Sequence, residues 1–175
     1  KLPAPRIIEE CEENGICYML MTRIKGKMAC AGEYMDNAAE LLPILADGIK
    51  LLWRVDTHGC PQQNMLDTKL AHARRSVELG LCDEDNVQPG TYGPDGFSSP
   101  KELYAWLAAN RPDEERVFSH GDLCLPNVFI DGGRISGFID LGWAGVTDIY
   151  QDIALCYRSL VNNRDGKYGT AHPYF

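Results

Sequence analysis

The 175-residue sequence predicts an α+β protein, a mostly helical body that carries two β-hairpins. Three observations predict it. Asn14-Gly15 separates two β-forming runs near the start. Leu41, Leu42, Leu45, Ile49, Leu52 and Val55 recur at helical spacing. Asp131-Gly132-Gly133 turns a second ribbon close to a dense polar loop.

Taken in order, Arg6 to Glu10 and Ile16 to Thr22 form the first hairpin. Isolated two-stranded hairpins are marginal in water, so this one is expected to lean on something outside its own sequence neighbourhood. Asp36 to Val55 reads as a helix, with Pro43 expected to mark a break near its start. Leu66 to Leu79 reads as a second helix, stopped by Gly80. CDEDNVQPGTYGPDGFSS is a long loop dense in acids and turn residues. Ser99, Pro100 and Glu102 supply a cap, a first-turn proline and a capping-box acid, opening a helix through Tyr104, Leu107 and Ala108 that Pro112 ends. Val117-Phe118 leads into the polar loop HGDLCLPN. Val128 to Ile130 and Ile135 to Ile139 then form the second hairpin, and Asp148 caps a last helix through Ile153, Ala154, Tyr157 and Leu160.

Composition narrows the function classes. A hydrophobic fraction of 45% with 24% charged residues suits one ordinary globular core. No apolar run approaches the roughly 20 residues that span a bilayer, and KLPAPRIIEE lacks the basic-then-apolar order of a signal peptide. Seven cysteines without a CxxC pair indicate neither zinc knuckle nor redox motif; reduced and mostly buried thiols are expected. The protein is accordingly expected to be soluble and cytoplasmic, with no membrane partner. A formal net charge of −8 argues against nucleic-acid binding and is compatible with a cationic ligand.

The second hairpin brings two polar clusters to one end: Asp122 and Asn127 in the loop entering it, and Asp140 at its exit. Two carboxylates beside an amide, with no His or Cys pair, form a hard-oxygen set suited to magnesium, which completes its shell with water and phosphate oxygens. If one carboxylate binds metal, the other is free to accept a proton. That division of labour is the phosphoryl-transfer template of a base, an Asn ligand five positions on and an Asp-x-Gly ligand beyond.

At His120-Gly121-Asp122, Asn127 and Asp140-Leu141-Gly142 the chain resembles the kinase-like phosphotransferases. Gly121 stands where protein kinases carry an arginine, and six positions separate Gly142 from Asp148, too few for a peptide-docking segment. A small-molecule substrate is expected. The wider wording, VFSHGDLCLPNVFIDGGRISGFIDLG followed by DIYQDIALCYRSL, resembles the aminoglycoside phosphotransferases of the 3′ type, over most of the chain. The resemblance implies a protein-kinase-like fold, with residues 1–24 a remnant of the nucleotide-binding lobe and residues 25–175 the helical lobe. It implies Asp122 as the group activating a sugar hydroxyl, Asn127 and Asp140 as magnesium ligands, and ATP or GTP as donor. MTRIKG would be the hinge, with Met21, Thr22 and Ile24 at the nucleotide and the backbone of Thr22 and Ile24 on the adenine edge. Asp85 would attract the drug's ammonium groups, and Trp143 and Arg158 would line the substrate cleft.

Other readings stand beside these. Asp83, Glu84, Asp85 and Asp95 serve either a cationic ligand or only solvent. Arg158 belongs either to the cleft or to a helix-surface salt bridge. His120 is expected to be structural, Asp148 a cap and Asp152 a helix-side acceptor, while Trp53 and Trp106 are expected in the core. Trp143 replaces an arginine common in the 3′-type members, and an indole cannot offer an anion a forked pair of hydrogen bonds. No glycine-rich turn or phosphate-gripping lysine precedes the first hairpin, so a fragment of a longer enzyme is expected, with weak nucleotide affinity and little turnover on its own. The alternatives are a non-catalytic ligand-binding remnant of the fold, or a small-molecule kinase for another alcohol such as choline or a macrolide.

Overall fold

The computed structural model describes residues 1–85 and 87–164. Strands β1 (Ile7–Glu13) and β2 (Ile16–Met21) pair antiparallel around Asn14-Gly15, both at positive φ as a tight hairpin turn requires. Both faces of this ribbon are exposed, including Ile7, Ile8, Ile16, Tyr18, Met19 and Leu20.

The rest of the described chain packs around one core. A short strand β3 (Lys27–Met28) leads through the single-turn helix α1 (Gly32–Met35) into α2 (Ala38–Trp53). Leu41, Leu45, Ile49 and Leu52 form the buried stripe of α2. Pro43 does not break the helix near its start, as the sequence suggested, but sits within it on the exposed side. The apolar stripe buries enough surface to carry the helix through one missing N–H.

Helix α3 (Leu66–Glu78) ends in a Schellman motif: Gly80 takes φ +64°, its N–H donates to the Val77 carbonyl, and the Leu81 N–H donates to Ser76. Helix α4 (Pro100–Ala109) is capped by the Ser99 hydroxyl, which accepts from the Glu102 N–H. The Glu102 carboxylate reaches back to the Ser98 N–H at 2.7 Å, one residue before the expected box partner. Trp106 is 51% exposed and tilts against Phe97 in the loop; the expectation that it lies in the core fails because its face of α4 turns outward. Trp53 packs against the core as expected.

Two small sheets build the end of the molecule that carries the polar residues. β3, β5 (Val128–Asp131) and β6 (Arg134–Phe138) form one antiparallel sheet, with Gly132 and Gly133 both at positive φ in its hairpin turn. β4 (Arg116–Ser119) pairs with β7 (Gly145–Asp148), whose other edge takes residues 62–64 through the Asn64 N–H to Val146 and the Val146 N–H to Gln62. Leu123, Leu125, Val128, Ile130 and Phe138 face α2 across the core, and Cys156 of α5 (Tyr150–Arg164) closes it. Gly48 lets α2 approach β6, since a Cβ there would lie 3.1 Å from Ile135. Of the seven cysteines, Cys30 and Cys156 are buried and Cys11 and Cys17 exposed, so burial is narrower than expected; all seven are free thiols. Among the described residues no helix is long and apolar enough to cross a membrane.

Candidate active site

The loop between β4 and β5 is held from three directions. Its backbone is fastened first by α5: the Asp152 carboxylate, 1% exposed, accepts the His120 N–H at 2.8 Å and the Gly121 N–H at 3.2 Å. One turn pair further along α5, the buried Ser159 hydroxyl accepts the Leu125 N–H at 3.0 Å. Both contacts satisfy buried donors that would otherwise cost about 1–3 kcal/mol each. His120, fully buried, supplies the second tether. Its Nε2 lies 2.8 Å from the Ile139 carbonyl, which can only accept, so that nitrogen carries the proton and Nδ1 accepts from the Asp122 N–H at 3.4 Å. His120 is structural, as expected. The third tether is steric. Gly121 takes φ +84°, and a Cβ there would stand 2.2 Å from the Trp143 carbonyl oxygen, so the loop and the Leu141–Trp143 turn meet at a contact only glycine permits.

On this frame the three oxygen-bearing residues come to one end of the β5–β6 ribbon. The Asn127 Nδ2 donates to the Asp122 carbonyl at 2.9 Å, and the Asn127 Oδ1 accepts no hydrogen bond among the described residues. The Asn127 carbonyl accepts the Ile139 N–H at 3.0 Å, and Asp140 follows directly. Asp140 adopts the left-handed conformation, φ 56° and ψ 54°, a region Asp tolerates better than most residues and one that marks functional turns. Its exposed carboxylate has no hydrogen-bond or ion-pair partner among the described residues. An amide oxygen and an unpaired carboxylate are hard donors that fit magnesium. Among the described residues no three His, Cys, Asp or Glu side chains gather as a metal cage, and magnesium needs none because it keeps waters and phosphate oxygens in its shell.

Asp122 is half-buried, and its Oδ1 accepts from the Cys124 thiol at 2.9 Å. Burial first, and then the Asp122 carboxylate, push that thiol up to about 12, while the nearby Arg158 guanidinium pulls the other way. Arg158 thus lies beside the loop and forms no ion pair among the described residues; the surface salt bridge is not made. Gln88 of the acidic loop lines a cleft with Tyr157 and Arg158, so that loop reaches the same helix. Asp85 itself is exposed, its N–H donating to Asp83 Oδ1 at 3.1 Å.

Trp143 is 65% exposed at the mouth of a cleft of about 160 Å³ lined also by Asn64, Lys69, His72, Gly121 and Gln151. The Lys69 amine donates to Thr147 at 3.1 Å and to Gln151; burial lowers its pKa, against the pull of Asp148, Glu114 and Asp152. At the β1–β2 end, the Thr22 N–H and hydroxyl are both engaged with Arg6, at 2.9 and 2.8 Å. The Thr22 carbonyl and Ile24 N–H have no partner among the described residues, the pair of groups an adenine edge would need. The Ile24 side chain fits over Gly137, where a Cβ would lie 2.7 Å away. Met21 ends β2, exposed.

Sequence reading missed how Asp152 and Ser159 hold the loop. The available signal was their seven-residue spacing, with Cys156 between them, on one face of α5. It also missed Cys124 and Lys69.

The sequence profile of the phosphotransferase enzyme family (APH) matches residues 1–172. An aminoglycoside 3′-phosphotransferase of Niallia circulans is 40% identical over 161 residues, 91% of this chain and 60% of the relative. One from Enterococcus faecalis is 38% identical over 164 residues, with the same coverage of each. The chain therefore spans about 60% of the length of these relatives. Among solved structures, an aminoglycoside-3′-phosphotransferase of type VIII superposes with a TM-score of 0.74 at 29% identity, over 97% of this chain and 62% of that one. The aminoglycoside phosphotransferase APH(3″)-Id of Streptomyces rimosus, in complex with ADP and streptomycin, gives 0.71 at 28% identity, over 95% of this chain and 63% of that one. The fold is thus the kinase-like one of these enzymes, and the chain belongs to the phosphotransferase enzyme family.

Proposed function

We propose that the protein carrying this chain transfers the γ-phosphoryl group of ATP or GTP to a hydroxyl of an aminoglycoside, as an antibiotic-resistance kinase. The observation that carries this reading is the tethered loop: Asp122 and Asn127 are locked together by a 2.9 Å hydrogen bond and joined through Ile139 to Asp140. In this reading Asp122 accepts or orients the proton of the attacking hydroxyl. Asn127 and Asp140 hold magnesium, which neutralises charge on the phosphates when bound. The Thr22 carbonyl and Ile24 N–H take the adenine edge beside Met21. Trp143 offers a sugar ring an apolar face, and Arg158 and the loop around Asp85 line the drug side. The rigidity of the loop matters chemically because phosphoryl transfer depends on positioning and on fixed charges more than on covalent chemistry.

A coupled ADP-release assay tests it, run on this chain and on any longer form of the protein with aminoglycosides, choline and macrolides as acceptors. Release only with aminoglycosides supports the reading; preference for choline or a macrolide assigns another small-molecule kinase. The D122N variant of an active form is expected to lose turnover by a factor of about 100 or more with little change in substrate binding. Near-normal kcat in that variant refutes the role of Asp122.

A further inference from the structure

Asp122 is clamped along its backbone, with its N–H on His120 Nδ1 and its carbonyl under Asn127 Nδ2. Neither contact sets the side-chain torsion. One side-chain contact of Asp122 is made, the Sγ–H of Cys124 on Oδ1 at 2.9 Å, short for a sulfur donor. We infer that Cys124 is a positioning residue for Asp122, its thiol occupying one carboxylate oxygen so that the other is held ready for the substrate hydroxyl. This rests on the reading of Asp122 as the group that takes the hydroxyl proton.

Several features of the site support it. The sulfur is half-buried between the loop and α5, and the charged or titratable groups that face it are Asp122 on the loop and Arg158 on α5, with the His120 ring behind the Asp122 amide. Burial first, and then the Asp122 carboxylate, raise the thiol above its ordinary range, in keeping with its place as the donor in this contact. Cys124 is two residues from Asp122, and the Cys124 N–H also donates to the Asp122 carbonyl at 2.8 Å, so the turn that aims one side chain aims the other.

The test separates this contact from the role of Asp122 itself. In an active form of the protein, C124A is expected to lower kcat about tenfold with nucleotide KM within about twofold. C124S, which restores a hydroxyl donor, is expected to recover most of that kcat. A merely structural thiol would change stability and leave kcat of the folded protein in place. In the 175-residue chain, alkylation of Cys124 by iodoacetamide at pH 9, followed by peptide mass, is expected to run about threefold faster or more in D122N, because the facing charge is gone. Unchanged kcat in C124A overturns the inference, as does equal alkylation in wild type and D122N. Near-normal turnover in D122N overturns the base and the inference with it, whereas lost turnover in D122N with an unaffected C124A overturns the inference alone.

Discussion

Single side chains fasten the loop between β4 and β5, and the cost of each can be set by what it leaves unpaired. Removing the Asp152 carboxylate strands the buried His120 N–H, a penalty of about 1–3 kcal/mol, whereas the Gly121 N–H keeps the Ser119 hydroxyl at 2.9 Å. D152A is therefore expected to lower unfolding stability by about 1–3 kcal/mol by urea titration. D152N, which keeps one acceptor oxygen, should cost about half as much. A loss below about 0.5 kcal/mol in D152A would show that the loop finds other partners. G121A combines a positive φ with a 2.2 Å approach to the Trp143 carbonyl and must push the Leu141–Trp143 turn away. It is expected to cost about 2 kcal/mol or more and to weaken binding of any ligand seated on Trp143, read by titration calorimetry. At this scale the sequence was most informative where chemistry is local. Asp122, Asn127 and Asp140 stand close along the chain, and their oxygen-bearing side chains, their spacing and the hairpin between them single them out as candidates. Asp152 lies 32 positions from His120, and only the docking of α5 brings them together.

Elements differ in how much of the fold's stability they share. β5 and β6 are tied to β3 on one side and to α2 below, whereas β1 and β2 form a two-stranded sheet with every residue exposed. Stability follows buried contacts, so the amides of β1–β2 are expected to exchange with deuterium at least about tenfold faster than those of β5–β6. Equal protection would mean that the ribbon is covered in solution. Both hairpins were legible because Asn14-Gly15 and Gly132-Gly133 are turn signals that need no tertiary context. β4 and β7 were not: each is four residues long, and GVTD has one strongly apolar residue, so only pairing with its neighbours makes it a strand. Pro43 misled for a related reason, since tertiary burial of Leu41, Leu45 and Ile49 outweighs one lost backbone bond. P43A restores the donor to the Ala39 carbonyl and is expected to raise stability by about 1 kcal/mol in the same titration, a loss indicating instead that the ring packs usefully.

Across the whole molecule, net charge and core act on different steps. The core around Leu52, Leu125, Ile130 and Phe138 holds the polar end in place and contributes nothing to the long-range field. The formal charge of −8 sets that field, and two cations near the loop, half-buried Lys69 and exposed Arg158, do not reverse it. A polycation approaching such a surface gains from many weak attractions that salt screens beyond about 10 Å at 0.1 M. If the substrate is an aminoglycoside, its affinity is expected to fall roughly tenfold between 50 and 500 mM sodium chloride, mainly through slower association. Choline, with a single charge, should lose much less over the same range, which makes it the internal control for general salt effects. Titration calorimetry on an active form measures both. Parallel, shallow curves for the two ligands would place recognition in the short-range contacts of Trp143 and Arg158 and remove the acidic loop around Asp85 from the binding step.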